Sequence, residues 1–276
     1  MLTTTLDGLW VLQVLAGIEV LSPEIGLRPH LPSCETRSMA LDHPVAADLR
    51  AVGAITDEAA VDPAVLDWLT VLSRREVALM LLFGTPGAQV GPRVLLARFA
   101  QWWVVLERSG SVVSLTGVGT ATTEHGAAEL INTQIDRLCG DVAPARLQPV
   151  TLDAAELVAG IRGSRGLRTL LADRGLDRGQ INTLMSAADT ECSARISIVA
   201  IQSGVAGAPA RTFVDSGAVT IIDTPQGRLL GEHIVREGRS WMIVAPGTAG
   251  GIAAAVAQLV RRLPADNDWY SQRRAV

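Results

Sequence analysis

The sequence predicts an α+β protein built from two similar halves. Helical apolar spacing gives way to short apolar strands separated by glycine turns, that succession comes twice, and the two closing helices share residues at one constant spacing. At 276 residues, 48% apolar and 19% charged, with mean hydropathy +0.29, the chain can bury a real core and is too apolar to be disordered.

Asp7 is placed to cap a first helix that runs through Leu9, Trp10, Leu12, Val14 and Leu15 to Gly17. It is apolar almost all round, so it should be buried. Asp42 and His43 precede Pro44, a good first helical residue, and Val45, Leu49 and Val52 follow at helical spacing up to Gly53. Asp62-Pro63 opens a third helix in the same manner, with Val65, Leu66, Leu69 and Leu72 on its inner side. Segments 75–83, 93–99, 101–108 and 111–116, rich in Val, Leu, Phe and Trp, read as antiparallel strands, with Arg108-Ser109-Gly110-Ser111 as a hairpin turn. A helix from about 126 to Leu138 then carries Ile131, Ile135 and Leu138 and stops at Gly140.

The second half repeats this order. Asp153-Ala154-Ala155-Glu156 has the spacing of a capping box, and helices are expected near 153–162, 166–173 and 177–188. Strands follow at 193–203, 217–223, 227–235 and 239–245, and a last helix runs from Thr248 through Ile252, Val256 and Leu259 to Leu263, before Pro264. Ile131, Ile135, Arg137 and Leu138 stand at one constant spacing from Val256, Val260, Arg262 and Leu263, and Gly110 from Gly238 at a similar one. A diverged duplication is expected, with halves 1–143 and 144–276 in one compact unit that can share a continuous sheet. Gly140 to Pro149 reads as the linker and residues 204–212 as a small-residue loop.

Composition removes several chemistries. All 24 basic residues are arginine, so no phosphate-loop lysine and no lysine Schiff base can form. A net charge of −4 and a pI near 5.6 give no broad positive field for nucleic acid. Cys34, Cys139 and Cys192 are odd in number, unpaired in spacing, and read as core thiols of a reducing compartment. The stretch Met1-Leu2-Thr3-Thr4-Thr5 lacks the basic region and apolar run of a signal peptide, and no apolar run reaches the ~18 residues of a membrane span, so a cytoplasmic protein is expected.

His30, His43, His125 and His233 are scattered without metal-ligand spacing, so no metal is expected, and nothing calls for a cofactor. Gly160, Gly163 and Gly166 follow a helix rather than a strand, which fits a helix break better than a dinucleotide loop. Asp223 ends the apolar strand Val219-Thr220-Ile221-Ile222 and begins a turn in which Pro225 fixes φ, Gly227 takes the permissive position and Arg228 pairs back to Asp223. A hydrolase using His233 or His125 with Asp223 is the alternative from another class. Trp102 and Trp103 are neighbours on a strand, so one should be core and the other lie under a helix or be exposed. In the strand from Ala194 to Gln202, Ile196, Ile198 and Ala200 form one face. Arg195, Ser197, Val199 and Ile201 form the other, a mixed face of the kind found at non-obligate interfaces.

Read together, several of these segments resemble the EspG family of ESX (type VII) secretion-associated proteins of mycobacteria, over essentially the whole chain. The carriers are Leu6-Asp7-Gly8-Leu9-Trp10-Val11-Leu12, Ile222-Asp223-Thr224-Pro225-Gln226-Gly227-Arg228, Ala245-Pro246-Gly247-Thr248, and Leu263-Pro264 followed by Trp269. The Leu-Asp-Gly-Leu-Trp start and the Asp-Trp-Tyr-Ser end are most similar to the ESX-2 branch. The resemblance implies a central antiparallel sheet flanked by two helical bundles. It also implies a non-enzymatic cytosolic chaperone that holds the helical tip of the PPE subunit of PE/PPE heterodimers. By that analogy contact comes from residues 193–203 and roughly 153–188, which places Arg195, Ser197, Val199 and Ile201, with Asn182 and Met185, among the expected partner-binding residues. A self-associating structural protein is the third reading, and a weak homodimer stays open.

Overall fold

In the computed structural model, which describes residues 1–87, 91–161, 164–205 and 211–271, the chain folds into one large antiparallel sheet with helices on both faces. It opens with β1 (Leu2–Thr5), a strand that four residues of Leu-Thr-Thr-Thr do not announce, running directly into α1 (Leu6–Leu15). That junction moves the cap. Thr5, still extended, accepts from Gly8 N–H at 3.1 Å, and Asp7, expected as the cap, sits inside the first turn. The unforeseen α2 (Arg37–Asp42) precedes α3 (Val45–Ala51), and α4 (Pro63–Arg74) starts as expected, with Asp62 accepting from Ala64 and Val65 N–H.

Four strands follow as a meander: β2 (Val77–Gly84), β3 (Arg93–Phe99), β4 (Trp102–Ser109) and β5 (Val112–Thr120). Helix α5 (Glu124–Cys139) closes the half, capped by Thr123. The second half runs β6 (Val150–Asp153), α6 (Ala154–Ile161), α7 (Ser164–Asp173), α8 (Arg178–Ala188), β7 (Ala194–Val205), β8 (Arg211–Val214), β9 (Ala218–Thr224), β10 (Gly227–Arg236), β11 (Arg239–Pro246) and α9 (Ala249–Arg261). Strands β6 and β8 were not foreseen. Residues 206–210 of the expected loop and Gly163 of the glycine triplet lie outside the described residues.

The capping box expected at Asp153 is half formed. Asp153 accepts from Ala155 and Glu156 N–H, but the Glu156 side chain turns to Arg174 at 2.7 Å. The reciprocal box stands one helix later, between Asp177 and Gln180. Both hairpin glycines take positive φ, Gly110 at 60° and Gly238 at 75°, where a side chain would be strained.

The strand order is β1-β5-β4-β3-β2-β7-β9-β10-β11-β6, with β8 paired to the part of β7 that β9 does not reach. The halves therefore meet at β2 and β7, antiparallel at the centre. Helix caps Thr123 and Thr248 stand at the spacing that relates the two closing helices, each accepting from a glycine N–H in the first turn.

One face of the sheet is covered by α5 and α9, whose Ile131, Ile135, Val256 and Leu259 pack on Leu79, Leu96, Ile198 and Ile221. Trp103 joins this core, edge to face with Trp269 at 6.4 Å, whereas Trp102 is 54% exposed on the other side, as alternation requires. The other face carries two separate bundles. The N-terminal helices cover Leu95, Ala97, Val104 and Leu106, and the C-terminal helices cover Leu152, Leu229 and Val244. Where the halves join, Arg98 is fully buried. It donates to Glu76 Oε2 at 2.8 Å and to the Trp269 carbonyl at 3.1 Å, so the C-terminal segment is tied to the first half by a charge-assisted network.

Candidate functional site

Between the two bundles a strip of sheet stays open. Helix α4 lies over β3, β4 and β5, while α6 and α8 lie over β6, β9 and β11, so the joint between β2 and β7 has a bundle on either side. Register places Met80 opposite Val199 and Leu82 opposite Ser197, with Thr220 on the far side of Ser197. Met80, Ser197, Val199 and Thr220 are half-buried and Leu82 is 37% exposed. Ser197 Oγ lies 3.3 Å from Thr220 Oγ1. The surface is thus aliphatic with a hydroxyl pair at its middle, which suits desolvation by a partner with few charges to strip.

Sequence alternation orients β7 correctly for Arg195, Ser197 and Val199, while Ile196, Ile198 and Ala200 are buried against α5 and α9. Ile201 departs from that expectation. It lies on the same face as Val199, yet it is 1% exposed and packs into the core under the N-terminal helices, because the bundle edge reaches over that end of β7. It is a core residue.

Arg195 donates to the Ala187 carbonyl at 2.8 Å, joining the end of α8 to β7, and Ser193 Oγ lies 3.4 Å away. Burial pulls its pKa below the ordinary arginine value, with Asp189 opposing. Together with Gly84, Thr85, Thr190 and Glu191 it lines a cavity of about 350 Å³ at the end of the strip. Met185 is half-buried against the C-terminal bundle core, and Asn182 is exposed on α8, 3.5 Å from Arg168 Nη1. The arrangement brings Arg195 to both elements and leaves Asn182 on the outer surface of the bundle. Met80 and Leu82 carry no signal in the sequence because β2 is apolar on both faces, so no alternation marks its open side, and Thr220 on β9 and Arg93 on β3 join the strip only through strand pairing between distant segments.

Asp223 and Arg228 form a bidentate pair at 2.7 and 2.8 Å. Arg228 also donates to the carbonyls of Gly140 and Cys139, and its backbone exchanges hydrogen bonds with Ala143 and Ala145. The motif therefore staples the segment between the halves to the second meander. Hydrogen bonding to the Asp223 carboxylate holds the Arg228 pKa above its usual value. Gly227 has φ +116°, and a Cβ there would meet the Ala143 carbonyl oxygen at 2.7 Å; Pro225 is exposed in the same turn. Both Asp223 oxygens are engaged. His233 stands five positions from Arg228 along β10, roughly 17 Å by strand rise, and His125 is exposed beside Glu129 on α5.

The three cysteines are free. Cys34 and Cys192 are exposed, contrary to their expected core positions, since both lie in connecting segments. Cys139 is half-buried, and burial pushes its thiol up to about 11. Among the described residues no group of three or more His, Cys, Asp and Glu side chains could hold a metal ion, and no helix is long and apolar enough to cross a membrane.

A model of the EspG family matches residues 5–258. The chain belongs to the EspG family. This EspG-family chain is 47% identical over 277 residues, covering all of both chains, to the ESX-2 secretion-associated protein EspG2 of Mycobacterium tuberculosis strain H37Rv. The similarity of its two ends to the ESX-2 branch agrees with that relative. It is 27% identical over 270 residues, 96% of this chain and 88% of the relative, to the ESX-3 secretion-associated protein EspG3 of Mycolicibacterium smegmatis. In fold it resembles the M. tuberculosis type VII secretion system chaperone EspG5, solved in complex with a PE25-PPE41 dimer. The TM-score is 0.78 at 20% identity, over 98% of this chain and 99% of that one.

Proposed function

We propose that this EspG-family protein is a cytoplasmic chaperone for an ESX secretion system, and that it holds the helical tip of the PPE subunit of a cognate PE/PPE heterodimer. The observation that carries the reading is the open strip at the joint of the halves, aliphatic and flanked by two bundles, in a fold shared with a chaperone solved on a PE25-PPE41 dimer. Val199 and Ser197 are the centre of the proposed contact, with Arg195 at one end and Met185 and Asn182 on the adjoining helix. Each aliphatic side chain that a partner buries stabilises by about 1.5 to 3 kcal/mol before ordering costs, so two or three anchors make a useful complex.

The protein acts by binding and carries out no reaction. Asp223, the carboxylate of the hydrolase alternative, spends both oxygens on Arg228, and His233 lies five positions along β10 from that arginine. Halves 1–143 and 144–276 are read as copies of one unit in a single body, supported by their matching strand orders and by the caps Thr123 and Thr248. A crystal structure in which α5 and α9 fail to superpose when the two meanders are overlaid would sink that part.

Co-expression with PE/PPE pairs followed by size-exclusion chromatography tests the function. A stable complex with one copy of each of the three chains is expected. Self-association without capture of any pair would instead favour the structural-protein reading, and measurable hydrolysis that disappears in Asp223→Asn would favour the enzyme.

A further inference from the structure

Arg93 and Arg108 stand directly opposite one another on β3 and β4, on the open face of the sheet. Like charges at opposed strand positions repel. Arg108 is held by backbone carbonyls, with Nη1 donating to Ile25 at 2.8 Å and Gly26 at 2.7 Å. Arg93 is half-buried and makes no hydrogen bond or ion pair among the described residues. A Cβ built on Gly26 would lie 2.8 Å from Arg108 Nη1 and 3.6 Å from Arg93 Nη1, so both guanidinium groups converge on one spot. Glu24, next to the Ile25–Gly26 segment on which both arginines converge, is committed to Arg75, and Glu107 pairs with Arg137 of α5 on the other face of the sheet. Next to Arg93 across β2 comes the exposed Leu82, and beyond it Ser197 on β7.

We propose that the strip selects an acidic helical tip. A carboxylate of the partner docks on Arg93, with Arg108 behind it, while the partner's apolar side chains cover Leu82, Met80 and Val199. This rests on the strip being the PPE-binding face. A wholly apolar partner that covered Leu82 would strip water from Arg93 and leave a cation unpaired, and a basic one would add repulsion from two guanidinium groups. A carboxylate removes both penalties and matches the planar guanidinium fork bidentately. The overall charge of −4 opposes an acidic partner at long range, so the selection is local and sensitive to salt.

The test uses the PE/PPE heterodimers that the wild-type protein captures on co-expression. Arg93→Glu, which can pair with Arg108 and so should fold, is expected to weaken capture by at least about tenfold, and Arg93→Gln to reduce the salt dependence of binding. Reversing one Asp or Glu of the PPE tip to Arg should restore capture by Arg93→Glu. If Arg93→Glu and Arg93→Gln bind with wild-type affinity and salt dependence while Val199→Glu does not bind, the acidic-tip inference is wrong and the strip remains the binding face. If Val199→Glu also binds normally, or if the wild type captures no PE/PPE pair, both ideas fall together.

Discussion

Gly227 shows how one atom decides a local structure. Its φ of +116° and the Ala143 carbonyl 2.7 Å from a would-be Cβ leave no room for a side chain, so Gly227→Val should destabilise by roughly 1 to 3 kcal/mol or more. Unchanged thermal unfolding of that variant would show that the turn carries no such constraint. Arg98 and Glu76 raise a different issue, because removing one member of a buried pair strands the other. Glu76→Ala should cost about 3 to 5 kcal/mol in urea denaturation, most of it from the arginine left in the core. A loss below 1 kcal/mol would mean that water or backbone replaces the carboxylate. Both sites were only partly legible beforehand. The Gly227 turn follows from its residue types, whereas a charged residue inside an apolar strand, Arg98 in β3, gives no sign of its partner in a distant segment, Glu76 just before β2.

At the scale of elements, β7 and the paired closing helices are the places to probe. Val199 and Ile198 are adjacent on β7 and face opposite ways, so the same substitution should fail differently at each. Ile198→Glu buries a carboxylate under α5 and α9 and should unfold the protein, while Val199→Glu should leave it folded and abolish capture of a PE/PPE pair. Circular dichroism and co-purification on the two variants decide it; a folded Val199→Glu protein that still captures its pair removes this face from the site. Helices α5 and α9 are joined at their ends by Glu124 and Arg261, 2.7 Å apart. Hydrogen bonding from Arg261 lowers the Glu124 pKa, with desolvation opposing. A depressed folded-state pKa contributes stability above the ordinary glutamate value and loses it as pH falls through the folded value. Glu124→Gln should therefore melt below the wild type at neutral pH, by a small margin since the pair is half exposed, and the two curves should converge in acid. A gap that persists unchanged in acid would rule out the ion pair as its source. The alternating faces of β7 were readable from its residues; the cover over Ile201 was not, because it depends on how far a neighbouring bundle extends.

At the scale of the molecule, neither half is closed by itself. Strand β2 pairs along its length with β7, and Trp269 from the C-terminal end packs on Trp103 in the first meander. A fragment of residues 1–143 should therefore lack a cooperative unfolding transition, since it exposes an apolar strand edge and half a core. Native-like melting of that fragment would show the halves to be independent. What the sequence by itself determined is the α+β class, most of the helices and strands, and membership of the EspG family, because these rest on local spacing, caps, turns and ordered motifs. The short strands β1, β6 and β8 escaped it, since four residues carry too little periodicity and their pairing partners lie far away in the chain. Only the tertiary structure decided where the open strip lies and that Arg93 faces it with no counter-charge among the described residues. An uncovered surface is set by where the packed helices stop, and that is a relation between distant segments rather than a property of either one.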